Sequence, residues 1–113
     1  MTHTELINQI NIALHSIAPA YDALLYGSRA RGEATDESDW DILLLLDDVT
    51  RQEKQELRRV LYELEWQTGQ VMSVIIHTRD EWRRLASTPF YKRVTSEGIF
   101  LWTEHLPKLL HTA

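Results

Sequence analysis

Residues 27 to 46 read GSRARGEATDESDWDILLLL. Gly27 and Ser28 follow a strand-like apolar run, Ala23 to Tyr26, and precede Arg29, Ala30 and Arg31, which can open a short helix. A glycine and a hydroxyl therefore stand at a helix N-terminus. Unpaired backbone N–H groups and a partial positive charge make such a terminus a ready phosphate site, and a glycine lets the phosphate approach the backbone. Eleven residues past Ser28 comes Asp39, then Asp41, then five apolar residues, Ile42 to Leu46. On a strand, Asp39 and Asp41 point to one face, roughly 6.6 Å apart along the chain. Two such carboxylates repel each other, and a divalent cation removes the conflict. Mg²⁺ suits the place because it takes one or two carboxylates together with phosphate oxygens. Phosphate cradle and carboxylate pair together describe a metal–nucleotide site serving phosphoryl or nucleotidyl transfer. The competing readings are a plain strand-to-helix turn for Gly27 and Ser28, and helix-cap or salt-bridge duty for the aspartates.

Outward from this stretch the chain alternates helix and strand. Leu6, Ile7, Ile10, Leu14 and Ile17 recur at helical steps over residues 4 to about 18, Thr2 and Glu5 have capping-box spacing, and Pro19 forbids continuation. This helix is expected to cover one face of a sheet. A strand over 22–27 leads into the Gly27–Ser28 turn and a short helix ending near Gly32, and the acidic residues Glu33, Asp36 and Glu37 read as a solvated loop. Residues 39–46 form a second strand, apolar at both parities after Asp41 and hence covered on both faces. Asp47 lies roughly 20 Å beyond Asp41 along that strand, too far to share an ion; with Asp48 it reads as a strand-end residue. A capped helix runs from Thr50 to about residue 66 and stops at Gly69. Residues 70–77, QVMSVIIH, form a third strand. Thr78 with Glu81 opens another helix, Thr88 and Pro89 start one more that closes at Gly98, and Ile99 to Trp102 suits an edge strand. The expectation is an α/β (α+β) fold: a small mixed sheet with helices packed over it.

The chain of 113 residues, 43% hydrophobic with four tryptophans, fits one globular domain spanning residues 1–113. No apolar run approaches a membrane span and MTHTELINQ does not resemble a signal peptide, so a cytoplasmic protein is expected. The absence of cysteine excludes disulfides, thiol catalysis and Cys-ligated zinc. A net charge of −5 argues against direct nucleic-acid binding, which needs clustered Lys and Arg. His3, His15, His77, His105 and His111 lack ligand spacing, and Trp40, Trp66, Trp82 and Trp102 read as core or interface anchors.

The pattern Gly27, Ser28, Arg31, Gly32, Ser38, Asp39, Asp41 resembles the signature of the DNA polymerase beta-like nucleotidyltransferase superfamily, and is closest to its minimal nucleotidyltransferases (MNT). The resemblance implies that fold, with phosphates resting on Gly27 and Ser28. Arg31 either contacts phosphate or makes a surface ion pair, and Ser38 is a turn residue bracing Asp39. It further implies Mg²⁺, with Mn²⁺ as an alternative, held by Asp39 and Asp41, and ATP or another NTP as substrate. In the family a third carboxylate on the next strand helps hold the metal that activates the attacking hydroxyl. Here that strand contains no acid, and Ser73, its one interior polar residue, is the expected occupant. A hydroxyl is a poorer Mg²⁺ ligand and no general base near neutral pH. Glu65 and Asp80 are the acids that could stand in.

The resemblance implies an antitoxin that pairs with a HEPN-domain toxin and transfers NMP, AMP from ATP in the first instance, to a tyrosine hydroxyl on it. The rival expectation is a nucleotide-binding subunit that regulates the HEPN partner by complex formation without turnover. A third, antibiotic-modifying transfer, normally needs an added helical domain for the drug. Homo- or hetero-oligomers fit either of the first two.

Overall fold

The computed structural model describes residues 2–18 and 20–103. The elements run α1 (His3–His15), β1 (Asp22–Tyr26), α2 (Ser28–Arg31), β2 (Trp40–Leu46), α3 (Arg51–Thr68), β3 (Met72–Thr78), α4 (Arg79–Arg84), α5 (Pro89–Glu97) and β4 (Ile99–Trp102). The mixed sheet and its helices match the expected α/β architecture and element order. Boundaries shift by a few residues. Helix α1 ends at His15, strand β1 stops before Gly27, and β2 starts at Trp40, so Asp39 sits just ahead of the strand. The expected helix stop at Pro19 and the tail over 104–113 lie outside the described residues.

The strand order is β3-β2-β1-β4. Strand β1 pairs antiparallel with β2 and β4, while β2 and β3 are parallel, a pairing that requires a crossover. The 18-residue helix α3 supplies it. Four helices begin at threonines the sequence marks as caps: Thr2 accepts from the Glu5 N–H, Thr50 and Thr78 form full capping boxes with Glu53 and Glu81, and Thr88 accepts from the Tyr91 N–H ahead of Pro89.

Strand alternation divides the sheet into two buried faces. On one, Ala23, Leu25, Trp40, Ile42, Leu44, Leu46, Met72 and Ile76 pack against Leu6, Ile10 and Leu14 of α1 and Leu57, Leu61 and Leu64 of α3. On the other, Leu43 and Leu45 pack against Trp82 of α4 and Val94 of α5, with Leu24, Tyr26, Ile75 and Phe90 around them. Residues 42–46 are all buried, as their apolar run at both parities requires. The half-buried His77 stacks on Trp82. Trp66 departs from a core role, being 75% exposed on α3 beside the exposed Tyr62.

At the β1 start and β2 end, buried Asp22 pairs with Arg79 at 2.6 Å, and Arg79 also reaches Asp47 at 2.7 Å. This bridge ties α4 to the sheet and gives Asp47 a structural duty. No described helix is long and apolar enough to cross a membrane.

Candidate active site

Gly27 lies between the end of β1 and the start of α2 with φ +77° and ψ −157°, backbone that a side chain rarely tolerates. Its Cα faces Asp41: a Cβ built on Gly27 would collide with Asp41 Oδ2. The glycine thus gives the carboxylate room to stand directly against the turn. Ser28 opens α2, and no hydrogen bond engages its hydroxyl among the described residues. Gly32 ends the helix in the left-handed region, its N–H donating to the Ser28 carbonyl.

Asp41 occupies the second position of β2, opposite Tyr26 of β1 and Ser73 of β3. Its neighbours Ile42 to Leu46 hold the strand rigid by burial on both faces. Its carboxyl is raised above the ordinary range, first by partial burial and then by the nearby Asp39 charge, while Arg31 acts in the opposite sense. Asp39, exposed, is set beside it by the intervening Trp40, whose side chain is buried on the other face and whose N–H donates to the Val71 carbonyl at 2.8 Å. Tyr26 is raised too, by burial and by Asp41. The two aspartates form the electrostatically uncomfortable pair that a divalent cation would relieve.

Two residues the sequence did not single out build this site. Arg29 lays its guanidinium over the Trp40 ring at 4.7 Å and donates from Nε and Nη2 to the Ser38 carbonyl, at 3.1 and 2.7 Å. It thereby fixes the residue before Asp39. Ser38 itself turns the loop by accepting from the Thr35 N–H at 2.9 Å, the turn role expected of it. Glu97, the last residue of α5, accepts the Gly27 N–H at 3.0 Å and pairs with Arg31. Arg31 also pairs with Glu33 at 3.0 Å, so of its two expected fates the structure exhibits the ion pair. The motif spacing contained Arg29 without revealing its aim, and Glu97 lies 70 residues from Gly27, beyond any local pattern.

No third acid joins the two aspartates as a metal ligand among the described residues. Register places Ser73 directly beside Asp41 on the same face, as its expected position requires, and Ser73 is exposed. Glu65 belongs to α3, which packs on the opposite face of the sheet. Asp80 sits past the far end of β3, paired with Arg83. Neither stands in. Among the described residues no group of three or more His, Cys, Asp or Glu could hold a metal. The donor set therefore fits one Mg²⁺ carried in with phosphate oxygens, which needs only one or two carboxylates, and does not fit a second ion held by protein acids.

The Nucleotidyltransferase domain family model matches residues 7–101. No curated protein matches the chain. Among solved structures, a chain from a toxin-antitoxin crystal structure with AMP-PNP superposes with a TM-score of 0.63 at 24% identity, covering 92% of this chain and 78% of that one. A chain from the complex of tri-AMPylated Shewanella oneidensis HEPN toxin with MNT antitoxin gives 0.61 at 22% identity, covering 96% and 79%. A putative nucleotidyltransferase from Sulfolobus solfataricus gives 0.59 at 19%, covering 90% and 81%. These likenesses show a shared fold. With a family model spanning most of its length, this chain belongs to the Nucleotidyltransferase domain family.

Proposed function

We propose that the protein is a Mg²⁺-dependent nucleotidyltransferase of the MNT kind, a single cytoplasmic domain that moves AMP from ATP to a hydroxyl of a HEPN-domain partner as its antitoxin. The observation that carries the reading is the approach of Asp41 to Gly27, which sets a carboxylate against the turn where phosphates would rest. The solved toxin–antitoxin structures, one with AMP-PNP and one with an AMPylated HEPN toxin, supply the choice of nucleotide and partner.

In this reading the triphosphate rests at the side-chain-free Gly27 turn on the Ser28 backbone N–H and hydroxyl, the Gly27 N–H being held by Glu97, and Asp39 and Asp41 would hold the ion that accompanies it. A Mg²⁺ bound there would supply Lewis-acid charge to the phosphate oxygens. The rigid strand beneath Asp41 and the Arg29 anchor behind Asp39 keep both carboxylates in place without reorganisation. The acceptor oxygen attacks the α-phosphorus, pyrophosphate leaves, and the acceptor's proton passes to solvent, since Ser73 cannot take it near neutral pH.

Ser73 also favours a second reading, in which the protein binds nucleotide and regulates its partner through complex formation without turnover. One experiment separates the two. The protein is incubated with its co-purified partner, ATP and Mg²⁺, and both chains are weighed intact. A gain of one AMP on the partner, abolished by Asp39→Asn with Asp41→Asn, establishes transfer. Nucleotide binding with no mass gain leaves the regulatory reading alone.

A further inference from the structure

Glu97 ties α5 to the turn after β1 and to Arg31 at the end of α2, 70 and 66 residues away along the chain. Its helix α5 is seated on the sheet by fully buried Val94 and by Phe90, whose ring meets Tyr26 edge-on at 5.4 Å. From that fixed base the side chain, only 15% exposed, reaches the turn after β1 and accepts the Gly27 N–H at 3.0 Å. The same carboxylate takes Arg31 Nη1 at 3.2 and 3.3 Å on its two oxygens. Glu33 takes Arg31 Nε at 3.0 Å, which leaves Nη2 without a partner among the described residues. A guanidinium is a planar fork with five donors, so two carboxylates fastened at Nε and Nη1 set the direction of the remaining edge.

We propose that Glu97 is a positioning residue for nucleotide binding: from α5 it locks the Gly27 turn and aims the free edge of Arg31 at the triphosphate. The inference rests on the proposed nucleotide site and adds to it the device that holds two of its parts in register. Its sign runs against simple Coulomb attraction. Removing a negative charge near a triphosphate should tighten binding if charge alone mattered. A positioning role predicts weaker binding, because the turn and the guanidinium lose their common anchor.

The test uses Glu97→Ala and Glu97→Gln, titrated calorimetrically with ATP and Mg²⁺ beside the wild type, with thermal unfolding to confirm that each variant is folded. Glutamine can still accept the Gly27 N–H but cannot pair with Arg31 as an ion. Alanine should weaken affinity by about tenfold, the factor that ~1.4 kcal/mol makes, and glutamine should recover part of the loss. Affinity unchanged or tighter in folded Glu97→Ala overturns the positioning role while leaving the nucleotide site standing. A wild type that binds no ATP with Mg²⁺ overturns both. If alanine prevents folding, glutamine decides: wild-type affinity in Glu97→Gln refutes the Arg31 half, and the Gly27 amide resonance, expected to shift as Glu97 is protonated, tests the turn.

Discussion

Replacing Gly27 by alanine should injure the protein more than replacing Gly32, although both glycines have nearly the same φ, +77° and +76°. At Gly32 a Cβ would meet nothing within 4 Å, so the cost is that of a left-handed alanine, ~1 kcal/mol. At Gly27 the backbone lies at ψ −157°, in a region reserved for glycine, which alone costs ~1–3 kcal/mol. The new methyl group would also strike Asp41 Oδ2, and overpacking of this kind adds ~1–3 kcal/mol. The difference between the variants should therefore be ~1–5 kcal/mol. For a domain of this size each kcal/mol moves the melting temperature by roughly 4 °C or more, so Gly27→Ala should melt at least about 4 °C below Gly32→Ala. Differential scanning calorimetry measures this directly. Calorimetric titration with ATP and Mg²⁺ should then show affinity lost in Gly27→Ala and kept in Gly32→Ala. Equal melting temperatures would refute the close approach of Asp41 to the turn, and with it the observation on which the proposed function stands.

Asp41→Asn should stabilise the nucleotide-free protein near neutral pH while abolishing nucleotide binding. The folded carboxyl is raised, so the folded state holds its proton more tightly than the unfolded chain and the ionised side chain costs stability. That cost is fully present above the folded pKa and disappears as pH falls to the ordinary Asp range, so urea unfolding of wild type and variant should converge in acid. Arg29→Ala removes two hydrogen bonds to the Ser38 carbonyl and the contact with Trp40, and should lower nucleotide affinity by about tenfold through a loosened Asp39, read by the same titration. Ser73→Asp places a carboxylate beside Asp41, and Mn²⁺ electron paramagnetic resonance with ATP should show one bound ion in the wild type and two in the variant. One ion in both would show that register alone does not make the third ligand.

The local patterns in the sequence were enough to determine the elements and their order. Threonine caps, the five-residue apolar run after Asp41 and the helical stripes of α1 and α3 are short-range signals whose physics acts within a few residues. They specified the element order, the doubly covered strand and the Gly27-to-Asp41 spacing. The contacts across the sheet were decided by tertiary structure alone. Pairing set Ser73 beside Asp41 and carried Asp80 to the far end of β3, while packing left Glu65 on the other face. Glu97 reached Gly27 because α5 docks over Leu43 and Leu45, a placement set by burial of Val94 and Phe90. Side-chain alternation and helix caps are encoded locally, whereas which distant groups meet depends on how the buried faces pack together, and no stretch of sequence contains that by itself.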